Sequence, residues 1–462
     1  MADSPGKPGR IRAVSGPEYL PCGLAERRAP PRIPPEPVPL MSTFPMLRLV
    51  TLAAVPAAAF TLLALRAAPP CRPGESGLVV PDGFRATVVA EDLGPVRQIA
   101  VSPSGDLYAA ISGRSKLFGG GGVAAFRDRD GDGRAEEHTT FGPRGGNDVK
   151  IHDGHVFLAL QDRIVRWRLP SGALAPTGDP ETIVADLPHD GDHTAKSLAF
   201  PGGNVMLVNV GSASNSCQQQ NRARGSKGNE PCRELERRAG IWQFTADRAG
   251  QSFADGKRFA TGLRNTEALA VQPGTDAVYG AVMGRDQLSD NWGFSAEVNA
   301  NNPAEELVQM KAGDDFGWPY CYYSNEAHKN EAHKKVLAPE YGGDGREVGR
   351  CAKAKDPVIA FPGHWAPLAI AFVTGSGLGA KYDGGLFVAF HGSWNRAPLP
   401  QAGYRVVFAP FADGHPSGAY ETFATGAGGP TSLRASGVAM GKDGALYISA
   451  DDSGKIWRVA KR

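Results

Sequence analysis

The stretch Gln98-Ile-Ala-Val-Ser-Pro-Ser-Gly-Asp-Leu-Tyr108 decides the fold of this chain. It consists of an apolar segment, a turn that contains Gly105, and a second apolar segment, which is the pattern of a β-hairpin. The same pattern returns five times, at 148–157, 197–206, 268–279, 368–388 and 437–447. Six copies of one hairpin predict a repeat architecture built from short strands.

The spacing of the copies indicates which architecture this is. The second segments begin at equivalent apolar residues, namely Leu107, Val156, Val205, Val278, Leu386 and Leu446. These lie 49, 49, 73, 108 and 60 residues apart, and a four-stranded propeller blade takes about 40–50 residues. We therefore predict an all-β, six-bladed β-propeller over residues 77–460, with loop insertions in the two long intervals. A β-helix would need shorter rungs, and a β-sandwich does not repeat one hairpin six times.

The composition agrees with a turn-rich β protein. The 462 residues include 59 glycines, about twice the average usage, as many tight turns require. Hydrophobic residues make up 41% of the chain, which is enough to bury a core and excludes disorder of the whole. The 50 basic and 48 acidic residues nearly balance. The chain therefore lacks the basic surface that nucleic-acid binding requires.

The first 70 residues differ from the repeat region. Residues 1–45 are rich in proline, and we interpret them as a disordered or mis-started leader. Residues 46–70 contain the uncharged run 49–65 between Arg48 and Arg66, which is typical of an export signal or an N-terminal membrane anchor. The proline-rich flanks disfavour the alternative of a buried core helix. These features predict a periplasmic or secreted protein, and anchoring through residues 49–65 stays open.

Four cysteines lie in the two long intervals: Cys217, Cys232, Cys321 and Cys351. The sequence contains no Cys-x-x-Cys, the usual signature of zinc sites and attached c-type haem. In an oxidising compartment, proximity favours the pairs Cys217–Cys232 and Cys321–Cys351, each of which would staple one insertion. Four cysteines allow three pairings, so the other two pairings remain open.

Polar residues precede the first strand of every blade. In a propeller these strands line the central channel, and the loops that lead into them open on one face. The lead-in residues are Arg97, Asn147, Asp192-His193, Arg264-Asn265, His364-Trp365 and Arg434. Their convergence on one axis predicts a polar pocket for an anionic ligand, with a base beside it.

Four of these lead-in residues are the main candidates for chemistry. The His193 imidazole can accept a hydroxyl proton near neutral pH, and the Asp192 carboxylate can fix its tautomer. The alternative is a loop histidine that hydrogen-bonds to a neighbouring blade. Arg264 and Arg434 can each bind a carboxylate through two donors. The alternative for both arginines is an inter-blade ion pair.

Two loops are candidate calcium sites. Carbonyl oxygens at Gly284 and Arg285, with Asp286 nearby, offer the oxygen ligands that calcium favours, although an ordinary turn is the alternative. The loop Asp128-Arg-Asp-Gly-Asp-Gly133 resembles the start of an EF-hand loop, but Thr139 stands where a strong site has a bidentate glutamate. We interpret this second loop as a blade hairpin turn.

Two motifs carry a family resemblance: Asp315-Phe-Gly-Trp-Pro-Tyr-Cys321 and Ala389-Phe-His-Gly-Ser-Trp-Asn-Arg-Ala-Pro398. With them, the chain resembles the glucose/sorbosone dehydrogenase family of soluble pyrroloquinoline quinone (PQQ)-dependent sugar dehydrogenases, in particular the L-sorbosone dehydrogenase type. The resemblance covers about residues 79–459. It implies a six-bladed propeller that binds PQQ and calcium on its top face.

The resemblance also implies roles for individual residues. His193, with Asp192, would be the catalytic base, and calcium would be held at Gly284, Arg285 and Asp286. The residues implied to contact the quinone are Arg264, Asn265, Arg434, Asn147 and Arg285. The chain departs from the family pattern at Met283 and Leu433, where the family usually has histidine.

We therefore predict a PQQ-dependent oxidoreductase that oxidises an aldose, sugar aldehyde or related hydroxyl substrate by hydride transfer to the quinone. A separate electron acceptor is expected, because the chain has no haem motif. Two other classes remain open. One is a calcium-dependent lactonase or esterase, since a fold does not determine a function. The other is a non-catalytic extracellular binding propeller, which Met283 and Leu433 favour.

Overall fold

The computed structural model describes residues 76–115, 117, 122–326 and 335–462, and these belong to one compact unit that begins at Ser76. The predicted leader and the export segment, with its apolar run 49–65, lie outside the described residues. Within the described ranges, no helix is both long and apolar enough to cross a membrane.

In the described ranges, six sheets of four or five strands are the six blades, and two further sheets are two-stranded ribbons in connecting segments. The N-terminal strands β1 (Leu78–Val79) and β2 (Phe84–Ala90) precede blade 1, which contains β3 (Val96–Val101), β4 (Leu107–Ile111), β5 (Gly122–Arg127) and β6 (Glu137–Phe141). Blade 2 contains β7 (Asp148–His152), β8 (His155–Ala159), β9 (Ile164–Arg168) and β10 (Glu181–Ala185). Blade 3 contains β11 (Leu198–Ala199), β12 (Val205–Val210), β13 (Gly240–Thr245) and, after the short β14 (Gln251–Ser252), β15 (Lys257–Thr261).

The remaining blades follow in chain order. Blade 4 contains β16 (Ala268–Val271), β17 (Val278–Val282), β18 (Glu305–Met310) and an outer strand, β22 (Ile359–Phe361). Between β18 and β22 the chain forms three short strands outside this blade: β19 (Asp314–Asp315), β20 (Cys321–Tyr323) and β21 (Lys335–Leu337). Blade 5 contains β23 (Pro367–Phe372), β24 (Leu386–Phe390), β25 (Arg405–Ala409) and, after the ribbon β26 (Phe411–Ala412) and β27 (His415–Pro416), β28 (Glu421–Gly426). Blade 6 contains β29 (Ala435–Met440), β30 (Leu446–Ala450) and β31 (Lys455–Lys461).

Helices are few and short in the described part of the chain. The α-helices are α1 (Leu288–Trp292) and α2 (Ala296–Asn301), and the 3-10 turns are Arg233–Glu236, Phe253–Asp255, Pro339–Tyr341 and Gly349–Lys353. The predicted all-β, six-bladed propeller is thus confirmed. Each of the six residues used to align the repeats is the first or second residue of its blade's second strand.

The ring closes through its inner strands and its N-terminus. The inner strands β3, β7, β11, β16, β23 and β29 contact one another in that order, and β29 contacts β3. Strand β2 pairs antiparallel with β31, with Phe84 opposite Lys461. The N-terminal strand therefore completes the last blade, so the two ends of the propeller domain hold each other.

The core lies between the blades. All five residues of β4 are buried, because successive side chains of a strand point to opposite faces of its sheet and both faces of a blade are covered. Leu107 and Ile111 pack toward blade 6, whereas Tyr108 and Ala110 pack toward blade 2. This is why the blade strands in the sequence are continuous apolar runs.

Blades 3 and 4 contain loop insertions, as the spacing of the hairpin repeats predicted. Residues 211–239 connect β12 to β13, and the predicted disulfide Cys217–Cys232 closes this loop. Residues 311–358 connect β18 to β22 and hold the second predicted disulfide, Cys321–Cys351. Residues 283–304, with both α-helices, form a further loop between β17 and β18.

The acidic loop 128–133 is a hairpin connection between β5 and β6, as interpreted from the sequence. The Asp128 carboxylate accepts the backbone N–H groups of Gly131 at 2.7 Å and Gly133 at 2.8 Å. Asp130, Asp132 and Glu136 lie close by, all exposed.

Candidate functional site

Arg97 is the centre of an ionic cluster on the propeller axis. It lies in β3, and its guanidinium contacts three other blades: Nε donates to Asn147 Oδ1 at 3.0 Å, Nη1 to Asp451 Oδ2 at 2.9 Å and Nη2 to Glu267 Oε2 at 2.9 Å. Two of the predicted lead-in residues, Arg97 and Asn147, are thus in direct contact. Buried charges are tolerated when they are paired in this way.

The cluster continues toward a third lead-in residue, Arg434. His391 Nε2 lies 2.9 Å from Asp451 Oδ1, and His391 Nδ1 lies 3.4 Å from Arg434 Nη1. Because arginine only donates, Nδ1 is the acceptor and Nε2 carries the proton. Burial alone would raise the pKa of Asp451, but His391 and Arg97 hold it below its ordinary value. We call Arg434, His391, Asp451, Arg97 and Glu267 the axial network.

His193 and Asn265 both lie against Gly211, and the ring nitrogen Nε2 of His193 has no hydrogen-bond partner among the described residues. Its Nδ1 lies 3.0 Å from the carbonyl oxygen of Ser212 and 2.9 Å from Ser212 Oγ. A carbonyl oxygen can only accept, so Nδ1 carries the proton and Nε2 keeps its lone pair. Burial, together with the charge of Arg264, lowers the pKa of His193 to about 3. The imidazole is therefore neutral at neutral pH, the state that a general base needs.

The side chain of Asp192 faces away from this imidazole's Nδ1. Its Oδ2 accepts from Arg222 Nε at 3.0 Å and from Asn221 Nδ2 at 3.3 Å, both in the blade 3 insertion. This differs from the sequence prediction, in which Asp192 fixed the tautomer of His193. Ser212 does so here, because the loop turns the Asp192 carboxylate toward the insertion.

Arg264 is buried in a second cluster, off the axis. Its Nε donates to the carbonyl oxygen of Asn215, and its Nη2 donates to Asn215 Oδ1, both at 3.0 Å. Nη1 donates to the carbonyl oxygen of Gly284 at 2.7 Å, and Nη2 also donates to Asp286 Oδ2 at 3.0 Å. His364, another lead-in residue, joins this cluster, with Nδ1 3.4 Å from Asp286 Oδ1. Four of the five guanidinium N–H groups thus have protein acceptors, and the ion pair with Asp286 lies within blade 4 and not between blades.

Arg285 also differs from its predicted place. Its Nη1 lies 2.6 Å from the Glu340 carboxylate, and the arginine side chain is buried. Trp292 Nε1 donates to the same carboxylate at 3.0 Å. The Arg285 side chain is therefore directed into the insertion of blade 4 and not toward the axial network.

The contacts of Asp286 bear on calcium. Burial would raise the pKa of this carboxyl, but Arg264 and His364 hold it well below its ordinary range, and Arg222 Nη1 lies 3.2 Å away. A carboxylate already surrounded by cationic donors is a poor ligand for a further cation. The residues of this loop therefore fit calcium only through backbone carbonyl oxygens, since a carbonyl such as that of Gly284 has two lone pairs.

Asn265 carries a buried polar atom without a partner among the described residues, its Oδ1. Its Nδ2 donates to Glu267 Oε1 at 3.2 Å and lies 3.5 Å from the thioether sulfur of Met283. A buried acceptor without a hydrogen bond is destabilising. Asn265 therefore suits a donor from a bound ligand, next to the axial network.

Sequence reasoning missed several residues of this region. Glu267 and Asp451 complete the axial network, but no sequence motif contains them. Glu267 lies two residues after the predicted site residue Asn265, and Asp451 directly follows strand β30. Lys196 is fully buried, and its Nζ donates to the carbonyl oxygen of Thr194 at 2.5 Å. Burial, with the nearby charge of Arg238, lowers the pKa of Lys196 to about 7.

The fold and the site define the class of this protein: a six-bladed propeller with an ionic network on its axis and a neutral histidine beside it. The family model described as TrAA12-like matches residues 78–462, and the chain belongs to that family. This confirms the predicted relationship to soluble PQQ-dependent sugar dehydrogenases at the level of the family.

Individual relatives agree with this assignment. The PQQ-dependent pyranose dehydrogenase of Coprinopsis cinerea is 25% identical over 432 residues, covering 83% of this chain and 54% of that protein, so the chain spans about half the length of that curated relative. The holo form of its PQQ domain superposes with a TM-score of 0.68 at 22% identity, over 83% of this chain and 97% of that one. A calcium structure of a Trichoderma reesei family AA12 enzyme superposes with a TM-score of 0.69 at 19% sequence identity, over 84% of this chain and 97% of that chain. At such identities the structural matches establish the fold.

Proposed function

We propose that this chain is a PQQ-dependent oxidoreductase that oxidises a hydroxyl or hydrated aldehyde group of a sugar. The observation that carries the proposal is His193, a neutral imidazole whose Nδ1 is bonded to Ser212 and whose Nε2 is free to accept a proton. Family membership supports the choice of cofactor. The name of the Coprinopsis cinerea relative supports a sugar as substrate.

The residues near the axis fit an anionic quinone. Arg434 offers a guanidinium group, which binds carboxylates well, and its side chain is only partly buried. Asn265 Oδ1 is an acceptor without a partner in the described part of the chain. Arg97, Arg264 and Arg285 are not included in this binding set, because each is already ion-paired with a protein carboxylate.

The chain's own residues would handle the proton of the reaction. His193 Nε2 would accept the proton of the substrate hydroxyl, and Ser212 would keep the ring oriented through Nδ1. Arg434 would orient and polarise the acceptor side of the pocket. When bound, PQQ supplies a quinone carbonyl carbon that takes up a hydride. The two electrons would then pass to a separate acceptor.

An exposed indole supports a carbohydrate substrate. Trp394 is 62% exposed and lies in the loop that follows β24, four residues after its end. Large aromatic side chains combine an apolar face with low conformational entropy, so an exposed indole suits the apolar face of a sugar ring. The motif 389–398 that contains it also supports the L-sorbosone dehydrogenase type, so both aldoses and sugar aldehydes belong among the substrates to test.

Calcium and location are part of the same proposal. Calcium would take carbonyl oxygens at Gly284 and Arg285, and Asp286 is assigned to Arg264 instead. The two disulfides support an oxidising compartment, periplasmic or secreted. Anchoring through residues 49–65 would be an addition to this picture and needs its own test.

The deciding experiment is a titration of the purified protein with PQQ, with and without calcium, followed by dye reduction with a panel of aldoses and sugar aldehydes. We expect a saturable change in the quinone absorbance and sugar-dependent dye reduction that requires PQQ. Hydrolysis of a lactone without PQQ would favour the lactonase alternative. Absence of PQQ binding would favour a non-catalytic binding propeller.

A further inference from the structure

Arg222 lies in the blade 3 insertion, inside the loop that the Cys217–Cys232 disulfide closes. Its φ of 60° is in the left-handed region, which residues other than glycine adopt only when their surroundings impose it. The backbone N–H of Arg222 donates to Gln218 Oε1 at 3.0 Å. The loop therefore presents this one side chain in a defined direction.

The guanidinium of Arg222 contacts three other loops. Nε donates to Asp192 Oδ2 at 3.0 Å, and Nη1 lies 3.2 Å from Asp286 Oδ2 and 3.3 Å from Gln287 Oε1. The guanidinium carbon also lies 5.8 Å from the ring centroid of Trp394, within the range of a cation–π contact. One side chain thus connects the lead-in loop of blade 3 with loops of blades 4 and 5.

Each of these contacts leads to a residue of the candidate site. Asp192 is the neighbour of His193, and Asp286 is the ion-pair partner of Arg264. Trp394 is the exposed indole proposed to face the sugar. A planar guanidinium reaches two carboxylates and an aromatic face at once, which a lysine ammonium cannot do with the same geometry.

We propose that Arg222 is a positioning residue of this site: its guanidinium holds the His193 loop, the Asp286 loop and Trp394 in one arrangement, and the Cys217–Cys232 disulfide holds Arg222. The inference rests on the proposed function for its kinetic consequences. Its structural part, the electrostatic link from Arg222 to His193, is independent of any cofactor.

The charges around His193 give the sign of that link. The groups that face the imidazole are Arg264, which lowers its pKa, and Asp192 and Asp286, which raise it. Arg222 partly neutralises both carboxylates. Removing Arg222 leaves more of their negative charge to stabilise the imidazolium, so the pKa of His193 should rise.

The experiment compares Arg222→Ala and Arg222→Lys with the control Arg224→Ala, which removes an exposed arginine from the same loop. In Arg222→Ala we expect KM for the sugar to rise about tenfold, the size of losing one charge-assisted contact, with PQQ affinity kept within about twofold. Arg222→Lys should recover part of the loss. Arg224→Ala should match the parent protein in both measurements.

An NMR titration of the histidine rings on the cofactor-free protein tests the link without turnover. A higher pKa of His193 in Arg222→Ala, and the parental value in Arg224→Ala, supports the proposal. An unchanged His193 titration together with unchanged KM in folded Arg222→Ala overturns it. If the parent protein fails to bind PQQ, the proposed function fails, while the NMR result still decides the role of Arg222. Should Arg222→Ala not fold, Arg222→Lys carries the same two measurements.

Two double cysteine variants test whether the Cys217–Cys232 disulfide holds Arg222 in place. Replacing both Cys217 and Cys232 by serine should move KM and the His193 titration in the direction of Arg222→Ala. The corresponding double replacement of Cys321 and Cys351 should not move the His193 titration. Equal behaviour of the two double variants would overturn the role given to the Cys217–Cys232 disulfide.

Discussion

Arg97 and Glu267 join opposite blades of the propeller across its axis, with Arg97 Nη2 2.9 Å from Glu267 Oε2. Arg97 belongs to blade 1, and Glu267 directly precedes β16 of blade 4. The two side chains are only 19% and 10% exposed, so solvent screens their attraction much less than that of a surface pair. The contact therefore connects halves of the ring that share no sheet.

Removal of Arg97 should be strongly destabilising. Arg97→Met leaves the buried Glu267 carboxylate without its cation, whereas the half-buried Asp451 keeps its contact with His391. Breaking a buried pair in this way costs about 3–5 kcal/mol of unfolding free energy. Chemical denaturation of Arg97→Met, Glu267→Gln and the double variant measures the coupling. Additive effects of the two replacements would show that the pair does not act as a unit.

Replacement of His193 should affect turnover more than folding. Because general-base action supplies about 10²–10⁴ in rate, His193→Ala should lose that much kcat while PQQ affinity is largely kept. His193→Gln should be similarly poor, since an amide does not take up the proton. The control is His189→Ala, which removes an exposed histidine of the same loop. Reduction of bound PQQ by His193→Ala at the parental rate would remove His193 from the mechanism.

Two of the three arginines that the family resemblance implied as cofactor contacts, Arg434 and Arg264, should behave differently. Arg434→Ala should weaken PQQ binding by about 2–3 kcal/mol, the range for a hydrogen bond to a charged group. Arg264→Ala should instead lower the free energy of unfolding, because it leaves Asp286 buried without a main partner. Quinone titration and denaturation of both variants separate these effects. Equal losses of PQQ affinity with unchanged stability would contradict the assignment.

Lys196 should make stability depend on pH. Its pKa is lowered from the ordinary 10.5 to about 7 in the folded protein, so between about pH 7 and 10.5 the unfolded chain binds more protons than the folded one. The contribution of this residue to stability therefore rises with pH across that window. Compared with the parent protein, Lys196→Met should have a higher melting temperature, with the largest increase at or below pH 7 and the smallest near pH 10. The exposed Lys227→Met is the control; a gain independent of pH would contradict the shift.

The sequence by itself determined the architecture. The six hairpins were identified from apolar alternation and glycine turns, which are local signals. Both insertions followed from the spacing, and proximity favoured, among three possible pairings, the two disulfides that the structure contains. The hairpin nature of the loop 128–133 was likewise visible locally. These features are determined by neighbours along the chain, so no long-range information was needed to predict them.

Only the tertiary structure decided which partners the site residues have. The sequence identified the polar residues that lead into each blade, but Arg264 binds Asp286, Arg285 binds Glu340, and Asp192 binds Arg222. Each partner lies in an insertion or follows a strand of the blade, beyond the reach of hairpin patterns. A buried charge must find an opposite charge or a hydrogen bond, and which group supplies it depends on how the insertions fold over the top of the ring.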